Sequence, residues 1–403
     1  MKTIEELLAE ILDLGEGWSI RDIKVDQRIK DVDIFIEYTN SMGHFPDTKE
    51  LLNIYDHGKS RRIRHLDLFE YKCYLNARIP RVKHDKLGVR NIVLKWADER
   101  VSFSYLFESK VLEALLLSKN QTKTAEFFES SFDIIHSIMQ RGVERGLARR
   151  NLDGIKAISL DEKSFSNGHN YLTILSDPIN KRVLDIIEGR KIEDTEELLT
   201  WTLSPNQLEN ITLITMDMWK AYMTAAKEIL PQAAIIHDKF HTAKYLNKGV
   251  DEVRKIETKT EKALKKTKYL YLKDPRGWSN EEAFKFKEID AINLKTSAAW
   301  RIKENFKDIY TIGNWYVCKD FFEEWYKNAL ESKLKPMIKV ADTLLRHIEG
   351  ILNSAIHSVS NSIAENINSQ IQIIKSVARG FANFKGYQNA VLFFQGKLNL
   401  FPF

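Results

Sequence analysis

Cysteine is nearly absent from this chain: 403 residues contain two, Cys73 and Cys318. Thiols so far apart in sequence make neither a disulfide framework nor a zinc ribbon of paired cysteines, and both read as ordinary buried thiols. Long apolar runs are missing too. No stretch reaches the roughly 18 to 20 uncharged apolar residues of a membrane helix, and the opening MKTIEELLAEILDLGEGW carries acids where a secretory leader would be apolar. The expectation is a cytoplasmic protein without membrane attachment. Internal repeats and low-complexity tracts are lacking as well, which excludes a repeat array.

What is present is apolar bulk and an uneven charge. Hydrophobic residues make up 43% of the chain, enough for the cores of two or three domains. The net charge is only +5. Between Lys59 and Arg100, however, twelve Lys/Arg stand against five Asp/Glu, a surplus larger than that of the whole chain. A surface of that sign gains affinity for nucleic acid by displacing counterions from phosphates; a solvated basic face is the other reading of the same composition. The candidates for phosphate contact are Arg61, Arg62, Arg64, Arg78 and Arg81.

From Phe107 to Arg150 the spacing predicts three helices with tight joints. Val111, Leu112, Leu115 and Leu116 share one face of the first, Ala125 and Phe128 mark a short second, and Ser130 or Ser131 caps a third from Phe132, with Asp133 in its first turn. That pattern suits a helix-turn-helix, with a plain helical bundle as the alternative. His136, Arg141 and Arg145 lie on the recognition helix and would face phosphates or bases.

Beyond Gly154 the texture turns to strands. IKAISLD, HNYLTILSD and KRVLDIIEG are apolar runs separated by Asn167-Gly168 and by Pro178-Ile179-Asn180, an antiparallel meander. An acidic helix near Glu193 to Leu203, a strand NITLITMD, a helix WKAYMTAAKEIL and a strand AAIIHD follow. The order βββαβαβ is that of an RNase H-like core. From Phe240 to about Leu345 the pattern is helical, with Trp278, Trp300, Trp315 and Trp325, and reads as an insertion. The expected fold is mixed α/β and multidomain: a basic N-terminal region (1–103), a helix-turn-helix (104–150), the first part of an RNase H-like mixed sheet flanked by helices (151–240), an all-helical insertion (241–345) and closing helices (346–403).

Such a core delivers carboxylates to one point. The first strand would bring Asp161, the fourth strand Asp217, and a late helix Glu365, near whose start Ser360 or Asn361 would act as cap. Like charges at a few Å raise one another's pKa, and two Mg²⁺ ions, with Mn²⁺ able to substitute, would relieve the repulsion while activating water or a 3′-hydroxyl for attack on a phosphodiester. Asn361, Asn368 and Gln372 fall near the same helical face as Glu365. Glu162 points to the other face of its strand.

These residues resemble a known family. LDEKSFSNGHNYLTILSD, ITMDMWKAYMTAAKEILPQAAIIHDKFH and SNSIAENINSQIQIIKSVARGFANF are similar to three blocks of the ISL-three family of bacterial insertion-sequence transposases, which carry a DDE catalytic domain. The resemblance runs from about His65 to the C-terminus and implies that Asp161, Asp217 and Glu365 are the DDE acids. It draws in His237, Asp238 and His241 of HDKFH, with Asn368, as accessory residues. Lys375 and Arg379 are further candidates for DNA contact. It also implies double-stranded DNA as partner, a homodimer on DNA, and a nucleoid-associated protein of the bacterial cytoplasm. Near its start the chain departs from the family: relatives carry a cysteine-rich zinc motif, whereas here His44, His57 and His84 are scattered and zinc is not expected. A catalytically silent, domesticated DNA-binding regulator and a non-joining nuclease on the same fold are the competing readings.

Overall fold

Thr3 opens the first helix with a reciprocal cap, its hydroxyl accepting from the Glu6 N–H while the Glu6 carboxylate accepts from the Thr3 N–H. This helix, α1 (Ile4–Ile11), leads into β1 (Trp18–Asp26), β2 (Asp31–Tyr38), β3 (Met42–His44), β4 (Leu51–Arg64), β5 (Lys72–His84) and β6 (Gly88–Asn91). They pair in the order β1-β2-β5-β4-β3, with β6 on β5. Strand periodicity sets the core: Cys73, Leu75, Ala77 and Ile79 alternate inward along β5, against Ile34, Ile63, Phe45 and Trp96. The helices α2 (Tyr105–Ser118), α3 (Gln121–Phe127) and α4 (Phe132–Arg149) are capped by Ser104, Asn120 and Ser131.

The computed structural model describes residues 3–166, 170–357, 362–378, 380–381 and 383–403. It divides into two compact units, Met1–Arg150 with Leu398–Phe403, and Asn151–Lys397. The last six residues therefore join the first unit and not the closing helices. Two glycines make room for them on α4. A Cβ on Gly146 would lie 2.6 Å from the Leu398 Cβ, and one on Gly142 would lie 3.0 Å from Leu112 Cδ2.

The second unit runs β7 (Ala157–Ser166), β8 (Asn170–Asp177), β9 (Arg182–Glu188), α5 (Ile192–Thr202), α6 (Pro205–Asn210), β10 (Leu213–Met216), α7 (Lys220–Ile229) and β11 (Ala234–His237). The sheet order is β11-β10-β7-β8-β9, antiparallel from β7 to β9 and parallel from β7 through β10 to β11. Ile158, Leu160, Leu175 and Ile214 pack against Leu198 and Leu199 of α5 and Tyr222 of α7. The Asn167-Gly168 turn lies outside the described residues.

A helical block follows: α8 (Lys239–Glu257), α9 (Lys268–Leu272), α10 (Asn280–Asp290), α11 (Lys295–Phe306), α12 (Trp315–Glu331) and α13 (Lys335–Arg346). It has its own core around Tyr271, Phe306, Phe322 and Trp325. Trp325 donates to the Ile302 carbonyl at 2.8 Å, and Trp278 stacks on Trp300 at 5.8 Å, so these tryptophans pack. The next helix, α14 (Ile348–Ile356), returns to the sheet: Asn353 donates to the Ile235 carbonyl at 2.9 Å, and a Cβ on Gly350 would lie 2.4 Å from His237. Then come α15 (Ser362–Val377) and α16 (Phe384–Gln395). The architecture is mixed α/β with more than one domain. Among the described residues no helix is long and apolar enough to cross a membrane.

Two predictions follow from this packing. Alanine favours a helix over glycine by up to about 1 kcal/mol, but overpacking costs about 1–3 kcal/mol. Gly146→Ala should therefore lower the stability of the full chain in urea or thermal melts, and by more than Gly142→Ala. The second concerns His65, which is buried, with Nδ1 2.8 Å from the Ser104 Oγ that also caps α2. Burial, reinforced by the Arg64 charge, lowers its pKa to about 4. The folded state thus stays neutral where the unfolded chain takes up a proton, so stability is full above about pH 6.5 and falls as pH drops toward 4. The loss should amount to roughly 3 kcal/mol at most, and urea melts of His65→Gln should show a correspondingly flatter slope over that window.

Candidate active site

Strand register assembles the site. In the parallel pair β7–β10, Thr215 lies across from Ser159, and in β10–β11 Met216 lies across from His237. Continuing each register carries Asp161, Asp217 and Asp238 to adjacent positions where the parallel strands end. Ligand sites of open α/β sheets form at such ends. The next helix then adds an imidazole. Asp238 caps α8 by accepting from the Phe240 N–H at 2.9 Å, so His241 sits one turn into that helix, its Nε2 2.7 Å from Asp217 Oδ1 and 3.9 Å from Asp238 Oδ2.

Charge is the problem these groups present. Burial, and then the charge of Asp217, push the Asp161 carboxyl up to about 6. Three groups work against the rise: the Glu162 N–H, which donates to Asp161 Oδ1 at 2.7 Å, the Asn368 amide, which donates to Asp161 Oδ2, and His241. Burial disfavours the charged form of His241, yet the Asp217 hydrogen bond and charge raise its pKa. An imidazolium against Asp217 is the compensation available from protein atoms. Lys163 reaches back to donate to the Asn368 carbonyl and so ties β7 to α15.

The donor set fits a hard divalent cation. The ligand atoms of Asp217, Asp238 and His241 lie within 4.8 Å of one another, and among the described residues they are the only such group of three. Asn368, which donates to Asp161, has its Oδ1 buried with no hydrogen-bond partner among the described residues. Glu365 lies in α15 one turn before Asn368; its side chain is outside the described ones. Asn361 and Arg379 are also outside the described residues, while Gln372 is exposed on α15.

The accessory residues separate by role. His237 is buried under α14, its Nδ1 3.3 Å from the Met216 carbonyl, and burial holds its pKa down at about 4, so it packs. Glu162 faces away from the acids and pairs with Arg190 at 2.7 Å, as strand alternation requires. Sequence reasoning passed over Lys163 and Arg190, because only the folded sheet gives them partners.

The basic residues are engaged inside the first unit. Arg145 lies 2.6 Å from Glu108, which is fully buried on α2, and donates to the Leu400 carbonyl at 2.5 Å. Arg141 lies 3.0 Å from Asp98. His136 meets Gln121 at 3.0 Å and stacks on Phe132. The outward orientation expected of these three thus gives way to a buried carboxylate that needs cations, and to a neighbouring helix. Arg62 lies 2.7 Å from Asp33 and rests on the Tyr74 ring, Arg81 pairs with Asp56 at 2.6 Å, Arg64 is buried against the His65 carbonyl at 2.7 Å, and Arg61 donates to the Val101 carbonyl. Arg78 is exposed and donates to the Gly58 carbonyl at 3.2 Å. Lys375, in the last turn of α15, adds its charge near Lys163.

Comparison with known proteins gives two family matches. Residues 49–83 match a zinc-finger family of insertion-sequence transposases. This corrects the expectation drawn from the missing cysteines: the N-terminal module is there, and its family implies zinc. The residues present fit a zinc site poorly. Cys73 is the one cysteine in the span, with burial pushing its thiol up to about 12, and His65 is committed to Ser104. A transposase from the insertion element IS1001 of Bordetella parapertussis is 26% identical over 332 residues, covering 80% of this chain and 81% of its own length. The transposase of IS1557 from Mycobacterium tuberculosis is 21% identical over 359 residues, covering 81% of this chain and 80% of its own. Residues 158–391, more than half the chain and all of the site above, match the DDE transposase family of the ISL3 type, and to that family the protein belongs.

Proposed function

We propose that the chain binds the terminal inverted repeats of an insertion sequence, cuts at their ends and joins the freed 3′-hydroxyl to target DNA. One observation carries the reading: parallel register and the α15 amide bring Asp161, Asp217 and Asn368 to one point, one helical turn from Glu365. The sheet order and the sequence of parallel and antiparallel pairs support an RNase H-like core. α2 to α4 support a helix-turn-helix, and the basic β4–β5 surface, on which Arg62 and Arg78 are exposed, supports contact with DNA phosphates. Two ends must be paired for joining, so the working form on DNA is a homodimer.

Asp161, Asp217 and Glu365 would hold two Mg²⁺ ions, which supply an activated nucleophile and stabilise the leaving oxygen. The chain's own residues prepare that site. Asn368 orients Asp161 by one carboxylate oxygen, the Glu162 N–H holds the other, and His241 fixes the rotamer of Asp217. The first two bonds both favour the ionised form of Asp161.

The test is cleavage and joining on a labelled duplex bearing the element's terminal repeat. With Mg²⁺, Asp161→Asn, Asp217→Asn and Glu365→Gln should each lose product by at least on the order of 10³-fold while binding in Ca²⁺ is retained. A native chain that binds without cutting would favour the regulator reading, and cutting without joining would favour the nuclease. Full activity of Glu365→Gln would move the third acid elsewhere on the late helices.

A further inference from the structure

A cavity of about 540 Å³ is lined by Tyr171, Gly189, Arg190, Lys191, Asp194 and Trp219 among others. Its size falls in the range of roughly 300–1,000 Å³ occupied by small-ligand sites. Its walls are fixed by the backbone. Gly189 takes φ +100°, its N–H donates to the Tyr171 carbonyl at 2.8 Å, and a Cβ there would lie 2.1 Å from Asp194. Asp194 in turn accepts from the Lys191 N–H at 2.8 Å.

The chemistry of the lining is specific. The Arg190 guanidinium lies 3.7 Å from the centre of the Tyr171 ring and 4.6 Å from that of Trp219, and it is held by Glu162 at 2.7 Å. The Trp219 N–H donates to the Arg190 carbonyl at 3.1 Å. Thus both rings and the cation are locked in place, yet Trp219 remains 41% exposed. An anchored indole with bare surface, backed by a guanidinium and rimmed by Lys191, suits a flat π-system carrying negative charge.

Position in the chain identifies which one. Trp219 is the second residue after Asp217, and its indole N–H is bonded to the carbonyl of Arg190. We propose that this cavity is a nucleotide subsite, taking one unpaired base next to the scissile phosphate, the base on Trp219 and its phosphate drawn to Arg190 and Lys191. The inference rests on the transposase reading. It adds a requirement that reading lacks: a base near the cut must leave the helical stack.

The experiment uses the full chain and duplexes made from the inverted repeats flanking its own coding region, with 2-aminopurine placed singly at each position around the cut. Ca²⁺ keeps the complex uncut; anisotropy reads binding, and parallel reactions with Mg²⁺ read cutting. One position should change fluorescence on binding by the native protein and by Trp201→Ala, a change at an 82% exposed site on α5. The signal should vanish with Trp219→Ala, cutting should fall roughly tenfold or more, and Trp219→Phe should restore much of it. An abasic site at that position should lower cutting by the native chain to a similar degree, a result that does not depend on how Trp219→Ala folds. Normal cutting of the abasic duplex, or a fluorescence change indifferent to Trp219, would overturn the subsite while leaving the transposase reading intact. A native chain that neither binds nor cuts these duplexes would remove both.

Discussion

Two carboxylates held on neighbouring strands by a parallel register are the constraint around which the second unit is built. The paired register ends at Thr215 and Ser159, two residues before Asp217 and Asp161, and leaves the two carboxylates close enough for the Asp217 charge to raise the Asp161 pKa. Burial makes the repulsion worse by removing the water that would screen it. The neighbouring elements each contribute an answer. β7 turns back an N–H, α8 offers an imidazole, and α15 offers an amide anchored by Lys163. The repulsion is thus met by groups drawn from three separate elements of the fold.

The helical block and the late helices gain meaning from the same constraint. They form a long excursion between β11 and α14, with an aromatic core of their own, yet the chain must come back accurately enough to set Asn368 against Asp161. The return is secured before α15 begins. α14 lies so close to β11 that Gly350 tolerates no side chain against His237, and Asn353 caps the contact with a bond to the Ile235 carbonyl. His237, which the motif suggested for chemistry, is thus a spacer that sets how the excursion ends.

Much of this was legible in the sequence, and the boundary follows physical lines. Alternating apolar runs and capping residues exposed β7 to β11, α5, α7 and the three helices α2 to α4, because local patterning suffices for them. Asp161 and Asp217 stood out as an ordered set, one acid within the first strand and one at the end of the fourth. Partners distant in sequence did not stand out. Nothing in the Glu108 neighbourhood announces that it will be fully buried, so the arginines of α4 looked free for DNA when tertiary structure had already claimed them. The zinc-finger module was obscured for a related reason: its usual signal is paired cysteines, and here a strand periodicity around Cys73, Leu75 and Ala77 carries the same segment.

The lodging of Leu398–Phe403 on the glycine face of α4 makes the first unit discontinuous in sequence. Its opening 150 residues and its last six are separated by the whole of the second unit. Synthesis on a ribosome proceeds from the N-terminus, and the second unit must emerge before those last six residues do. The groove at Gly142 and Gly146 therefore stays uncovered while Asp161 and Asp217 are already being made. A chain lacking Leu398–Phe403 would keep Asp161, Asp217 and Glu365 while leaving that groove bare.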